Sequence, residues 1–133
     1  MYLKYFLIIL IFIALDAPYL YINRNIYEKQ TKAISGKLFT KRYYSAFILY
    51  MLLALGISVL VLPNIRKDKL SNTIKDAIIY GGTFGLASYA TFDFTMHFMF
   101  ESWTLGLTIM DTIWGAVLCS LVSIIITILY NKK

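Results

Sequence analysis

Residues 105–130 read LGLTIMDTIWGAVLCSLVSIIITILY, an apolar run in which the one charged side chain is Asp111. A helix needs about 20 predominantly apolar residues to cross the hydrocarbon core of a bilayer. This run exceeds that length, so it predicts a transmembrane helix. The carboxyl group predicts more than a simple anchor, because an aspartate at the centre of a membrane helix costs roughly 2.5–3.5 kcal/mol on insertion scales.

Three further stretches have the same apolar character. Apolar residues make up 59% of the 133-residue chain and charged residues only 15%, whereas soluble domains are roughly 45–50% apolar. We therefore predict an all-α, polytopic membrane protein, a four-transmembrane-helix bundle that forms a single membrane domain over residues 1–133. The approximate spans are 2–22, 43–62, 76–99 and 105–130, the second ending before Pro63, because proline breaks the helical hydrogen-bond pattern.

The first span has an alternative interpretation as a cleaved signal peptide. Lys4 would be its basic start, and the small residues from Ala14 to Ala17 would be its cleavage site. However, the apolar run continues beyond that site, Asp16 lies within the site, and Pro18 would follow the cut. These features favour a retained transmembrane helix.

The net charge of +6 arises from basic residues between the apolar runs, chiefly in residues 23–42 and 64–75. This placement argues against nucleic-acid binding and predicts that the loops contact anionic lipid headgroups of the bilayer. The short link at residues 101–104 predicts an antiparallel hairpin of the last two spans. With four spans, the side holding both termini carries seven Lys and Arg residues and the other side six, so the charge pattern selects neither an orientation nor a particular membrane.

Three aspartates fall at matching positions in their spans. Asp16 lies six residues before the end of the first span, Asp93 six before the end of the third, and Asp111 six after the start of the fourth. Successive spans alternate in direction, so at 1.5 Å per residue all three are predicted about 9 Å inside the same interface. Carboxyl groups from three helices are therefore expected to form one acidic layer.

Residues spaced four apart indicate which helix faces pack together. Glycine at this spacing lets membrane helices approach closely, so Gly81, Gly85 and Gly115 are predicted helix-packing positions. Antiparallel packing of two such stripes would bring Asp93 and Asp111 together inside the bundle. The stripes consist of Gly81, Gly85, Tyr89, Asp93 and His97 in the third span and of Asp111, Gly115, Cys119 and Ser123 in the fourth.

No Lys or Arg lies in the spans near this layer, and His97 is the one base predicted there. Three carboxylates cannot all stay ionised side by side at low dielectric. Either some are protonated, or they share a proton, a metal ion or a basic substrate group. Alternatively they only link helices, with hydrogen bonds worth about 1–2 kcal/mol each. The candidate binding or proton-handling residues are Asp16, Asp93, Asp111, His97, Tyr89, Thr95 and Trp114; the Asp93–His97 spacing lacks a metal-site signature, so no metal and no cofactor is predicted.

Two blocks of sequence, Leu86–Thr95 (LASYATFDFT) and Met110–Gly115 (MDTIWG), with Trp103 between them, resemble the signature of a family of small bacterial membrane proteins. The family is catalogued as domain of unknown function 2177. Its pattern is a Tyr-Ala-Thr-Tyr-Asp-Leu-Thr-Asn block, a following tryptophan and an Asp-x-x-Trp-Gly block.

The resemblance covers nearly the whole chain, since Leu15–Ala17 is similar to an early Leu-Asp motif and residues 46–63 to the family's second helix. It implies an intact four-helix membrane protein with the three aspartates at motif positions, and it implies no particular activity. The chain departs from the pattern at Phe92, in place of the second tyrosine, at Met96, in place of the asparagine, and at Pro18 and Tyr19, in place of a tryptophan region.

Three hypotheses of function follow from the acidic layer. The first is a binding or transport-type module that handles a proton, a cation or an amphipathic ligand; transport by only four helices would require a homo-oligomer. The second is a membrane-embedded lipid-modifying enzyme with a carboxyl as general acid or base, although the sequence has no nucleophile–base pair, Gly-rich phosphate loop or histidine-rich metal box. The third is a structural or assembly protein. The sequence leaves open whether the protein is an enzyme.

Overall fold

The structure is a computed structural model that describes residues 2–36 and 42–131. Helices account for nearly all of these residues and no strand occurs among them, which confirms the predicted all-α class. Lys37, Lys41, Lys132 and Lys133, counted among the basic residues above, lie outside the described residues. The helices are α1 (Tyr2–Ile22), α2 (Arg24–Ser35), α3 (Tyr43–Gly56), α4 (Leu70–Asp76), α5 (Gly82–Met99) and α6 (Leu105–Asn131).

Within the described ranges, three helical segments are long and apolar enough to cross a membrane, namely Tyr2–Ile22, Tyr43–Asn64 and Leu105–Tyr130. They lie at the first, second and fourth predicted spans. The second runs two residues further than predicted because Pro63 is accommodated in a terminal 3₁₀ turn. The predicted third span is also helical, but its Gly, Thr and Ser residues together with Asp93 and His97 make it more polar than the other three.

Two π-helical turns widen the helices at the same level of the bundle. The first, Ile57–Val61, continues α3, and the second, Ala77–Gly81, joins α4 to α5 without a break. The two turns contact each other, and Ile57 and Ala77 are fully buried there. α4, the second π turn and α5 therefore form one continuous helical rod from residue 70 to residue 99.

The closest helix packing is the antiparallel pair of α5 and α6. A Cβ atom on Gly85 would overlap the backbone oxygen of Gly115, and one on Gly115 would overlap the ring of Tyr89. Gly81 lies against Ser123 one helical turn further along. Side chains larger than hydrogen at these positions would push the helices apart, so glycine is required by the close approach.

α6 also packs against α1, which in turn packs against α3. The apolar core lies at the end of the bundle near the start of α1 and the end of α6. Burial of this core holds the helices together in the part of the chain that the structure describes. Its fully buried side chains include Ile8, Phe12, Leu118, Val122 and Ile126.

Helix α2 lies in the segment that was predicted to be the first loop, so this helix was not predicted. Its inward face carries Tyr27, Gln30 and Ile34, and its outward face carries Lys29 and Lys32. The helix is capped by Gly36, whose φ of 76° lies in the left-handed region and whose amide donates to the carbonyl of Lys32. α2 is therefore amphipathic, as expected for a helix at the membrane–water interface.

An ion pair closes the turn between α3 and α4. Arg66 donates to the Asp76 carboxylate from Nε at 2.8 Å, from Nη2 at 2.9 Å and from its backbone amide at 2.9 Å. Thr73 Oγ1 donates to the Arg66 carbonyl at 2.6 Å. The paired guanidinium compensates the charge of Asp76, whose side chain is only 7% exposed.

Candidate functional site

Asp16 connects three helices through one carboxylate. It lies in α1 with 5% of its surface exposed. Tyr50 Oη of α3 donates to its Oδ2 at 2.5 Å, and Trp114 Nε1 of α6 donates to its Oδ1 at 2.8 Å. Both carboxylate oxygens therefore have a hydrogen-bond donor, as buried polar groups generally require.

Asp111 of α6 is the second buried carboxylate, with 7% of its surface exposed. Tyr27 Oη of α2 donates to its Oδ1 at 2.5 Å, and the hydroxyl groups of Tyr27 and Tyr19 are 3.0 Å apart. Because Tyr27 has one proton and gives it to Asp111, Tyr19 is the donor to Tyr27. Burial and the neighbouring Asp111 raise the pKa of Tyr27, so the phenol stays protonated.

The two carboxylates are linked by an aromatic pair. The rings of Tyr19 and Trp114 stack with centroids 4.5 Å apart and an interplanar angle of 11°. Trp114 donates to Asp16, and Tyr19 is connected to Asp111 through the hydroxyl group of Tyr27. A displacement of this stack would therefore change the hydrogen bonding of both carboxylates.

Asp93 of α5 differs from the other two aspartates. Its side chain is 0% exposed, and neither of its oxygens has a hydrogen-bond donor among the described residues. The register of α5 against α6 sets Gly81 on Ser123, Gly85 on Cys119 and Tyr89 on Gly115. One further turn along, the same register places Asp93 beside Asp111. No ion pair with Lys or Arg compensates any of the three carboxyls within residues 2–36 and 42–131.

Asp16 and Asp111 line a cavity of about 450 Å³, which we call the lateral cavity. Its other polar walls are the hydroxyl-bearing residues Tyr27, Tyr50, Ser88 and Tyr89, and its apolar walls are Leu20, Ala46, Leu49, Leu53 and Phe92.

The lateral cavity lies between α3 and α5 and opens on the outer surface of the bundle. Leu20, Leu49 and Phe92 at its rim are 42%, 52% and 54% exposed. At the other end of the same cleft, the ring of Phe84 lies directly against Gly56 and closes the gap between the two helices. An apolar opening thus leads from the outer surface of the bundle to two buried carboxylates.

The structure brings most of the predicted site residues together but leaves two elsewhere. Tyr89 and Trp114 join the three aspartates. His97 is directed to the loop that follows α5, where its Nδ1 lies 2.6 Å from the Trp103 carbonyl oxygen. Thr95 is exposed and donates to the Thr91 carbonyl of its own helix. In the part of the chain described, no group of three or more His, Cys, Asp or Glu side chains converges to hold a metal ion.

Three tyrosines of the site were not predicted. Tyr50 is the one tyrosine in the interior of an otherwise apolar span, and that isolation was the available clue. Tyr27 lies on the inward face of α2, which the three- to four-residue spacing of Asn23, Tyr27, Thr31 and Ile34 would have indicated. Tyr19 follows Pro18 near the end of α1, and no sequence pattern distinguishes it.

The apolar helices and the polar layer between them define an integral, multi-pass membrane protein. The chain belongs to the family described as predicted membrane protein (DUF2177), which it matches over residues 1–128. This match confirms the resemblance found in the sequence and the membrane localisation. No curated protein and no solved structure matches the chain.

Proposed function

We propose that this protein is a membrane-embedded binding module of the transport type that takes an amphipathic ligand from the lipid phase through the lateral cavity. The observation that carries the proposal is the pairing of an apolar, outward-facing rim with two carboxylates, Asp16 and Asp111, at the inner wall. The carboxylates select a cationic or hydrogen-bond-donating head group, and the rim accepts its hydrocarbon chain. The cavity volume of about 450 Å³ is within the range of roughly 300–1,000 Å³ of small-molecule sites.

The carboxyls that line the lateral cavity favour a ligand with a cationic head group over one with a neutral head group. Ionisable residues inside a membrane mark ligand or ion pathways and are normally paired with an opposite charge. The described part of the layer contains carboxyls and neutral phenols but no paired Lys or Arg. A primary ammonium group would supply the missing positive charge and three hydrogen-bond donors.

We further propose that residues 76–99, within the helical rod of residues 70–99, form a fourth crossing, so that residues 1–133 form one membrane domain. Two of its polar side chains support this: Asp93 is fully buried, and Tyr89 lines the lateral cavity. Because these two groups face protein and not lipid, their polarity does not oppose insertion. Transport across the membrane, beyond binding, would require several copies of the chain.

The basic outward face of α2 is proposed to contact anionic lipid headgroups. Arg24, Lys29 and Lys32 are all exposed. A basic amphipathic helix gains roughly 1 kcal/mol for each Lys or Arg near an anionic surface. The same helix contributes Tyr27 to Asp111, so lipid contact and the acidic layer are connected through one element.

The experiment is a binding titration with dodecylammonium on the protein in phosphatidylcholine nanodiscs. The chain has two tryptophans, and Trp103→Phe leaves Trp114 as the reporter next to Asp16. We expect a saturable change in Trp114 fluorescence with dodecylammonium and none with dodecyl sulfate of the same chain length. Asp111→Asn should abolish the change, and Asp68→Asn, an exposed aspartate outside the layer, is the matched control. Equal responses to both detergent ions would overturn the proposal.

A structural role is the second candidate, because Asp16 already has its hydrogen bonds. Tyr50 and Trp114 attach α3 and α6 to α1 through this one carboxylate, which is what an interhelical link requires. If Asp16→Asn and Asp111→Asn lower the melting temperature and no amphipathic ion binds the parent protein, the layer serves assembly alone.

A further inference from the structure

We propose that Asp93 and Asp111 form an acid dyad that holds one proton between them and releases it when a cationic head group binds. The proton-sharing pair stands on its own geometry, whereas its coupling to a cation rests on the function proposed above. The starting observation is Asp93, which is fully buried and has no donor to either oxygen among the described residues. An ionised carboxylate in that position would be left without compensation in a medium of low dielectric.

The geometry indicates which carboxyl carries the proton. Tyr27 donates to Oδ1 of Asp111, and this bond stabilises Asp111 as the carboxylate and leaves its other oxygen available as an acceptor. The register of α5 against α6 places Asp93 beside Asp111, and Asp93 has no such donor among the described residues. A hydrogen bond between two carboxyl groups requires a proton on one of them. The protonated member is therefore Asp93, whose hydroxyl donates to Asp111.

No other group around the dyad is expected to carry this proton. From α1 come the Asp16 carboxylate, satisfied by two donors, and the Tyr19 phenol. The remaining titratable neighbours are phenols, Tyr27 from α2, Tyr50 from α3 and Tyr89 from α5. The imidazole of His97 is directed to the Trp103 carbonyl. Neither a base nor a fixed cation among the described residues thus competes with the two carboxyls.

The layer then behaves as an exchange site. In the empty state Asp93 is neutral and Asp111 carries one negative charge. An ammonium group bound beside Asp111 lowers the repulsion that keeps Asp93 protonated. Asp93 loses its proton to water, and two carboxylates face one cation. One positive charge enters the layer as another leaves it, so the charge in the low-dielectric interior does not change.

Infrared spectroscopy of the ligand-free protein tests the dyad. Aspartates are isotope-labelled at the side-chain carboxyl, so that a protonated carboxylic acid is recognised by its shifted carbonyl band. We expect one such band near neutral pH in phosphatidylcholine nanodiscs. It should be lost in Asp93→Asn and retained in Asp16→Asn. No labelled acid band in the parent protein, or its persistence in Asp93→Asn, would overturn the dyad. If Asp93→Asn does not fold, Asp111→Asn is the second test: the acid band should remain but shift in frequency, because Asp93 keeps its proton and loses its carboxylate acceptor. An unchanged band would overturn the dyad.

Proton release tests the coupling and separates the two proposals. A pH-sensitive dye should report one proton released for each dodecylammonium bound to the parent protein, and amine binding without proton release would overturn the coupling. An Asp93-dependent acid band without amine binding would reject the proposed function and keep the dyad. Amine binding with no acid band would reject the dyad and keep the binding function.

Discussion

Tyr27 Oη in the interfacial helix α2 donates a 2.5 Å hydrogen bond to Oδ1 of Asp111 in α6, across 84 residues of sequence. This bond attaches a helix outside the apolar spans to the acidic layer inside the bundle. The same phenol accepts from Tyr19 of α1. Any movement of α2 is therefore communicated to the carboxylate that lines the lateral cavity.

Replacing Tyr27 with Phe should release α2 from the bundle. Asp111 would lose its donor, and a buried acceptor without a partner costs about 1–3 kcal/mol. We expect a lower melting temperature in detergent and faster proteolysis within α2. Tyr44→Phe is the matched control, because Tyr44 is 67% exposed and lies in another helix. Equal melting temperatures for the two variants would contradict the role given to Tyr27.

Gly85→Ala should separate α5 from α6. The added methyl group would overlap the backbone of Gly115, which neither helix can move by a side-chain rotation. Overpacking of this kind costs about 1–3 kcal/mol, and we expect reduced yield of folded protein and a lower melting temperature. Gly106→Ala is the control, since its Cβ would meet nothing within 4 Å. A Gly85→Ala protein as stable as Gly106→Ala would show that α5 and α6 are not in backbone contact at Gly85.

Tyr50→Phe and Trp114→Phe should be coupled in a double-mutant cycle. Both side chains donate to Asp16, and single interhelical hydrogen bonds in membranes are worth about 0.6–1.7 kcal/mol. Either single variant leaves one donor on the Asp16 carboxylate, whereas the double variant leaves none. The double variant should therefore lose more free energy of unfolding than the two single variants lose together, with an interaction energy above about 0.5 kcal/mol. Unfolding in graded denaturant measures it. Strict additivity would mean that the two donors do not act on the same carboxylate.

Arg66→Gln should loosen the turn between α3 and α4. The guanidinium makes two of the three hydrogen bonds to Asp76, and glutamine cannot provide their charge. We expect faster proteolysis between residues 64 and 69 and a lower melting temperature. Lys69→Gln, an exposed change in the same turn, should leave both unchanged. Identical cleavage of the two variants would contradict a structural role for the pair.

Much of the acidic layer could be predicted because it depends on local regularities. Residues four apart share a helix face, and consecutive spans alternate in direction, so Asp93 and Asp111 were expected to meet. The same reasoning placed His97 in the layer, but the helix ends two residues later, and the side chain turns to the following loop. Tyr27 and Tyr50 were not predicted as site residues, because their partners Asp111 and Asp16 are 84 and 34 residues away in the sequence.

The sequence by itself determined that the protein lies in a lipid bilayer, and it determined the approximate ends of the apolar helices. Both follow from apolar run length and helix periodicity, which are properties of contiguous residues. Only the tertiary structure decided which carboxyl is satisfied and which is not. Asp16, Asp93 and Asp111 have similar positions in their spans, yet within residues 2–36 and 42–131 the first and the third receive donors and Asp93 receives none. That difference arises from side chains brought by other helices, and no pattern within a single span encodes it.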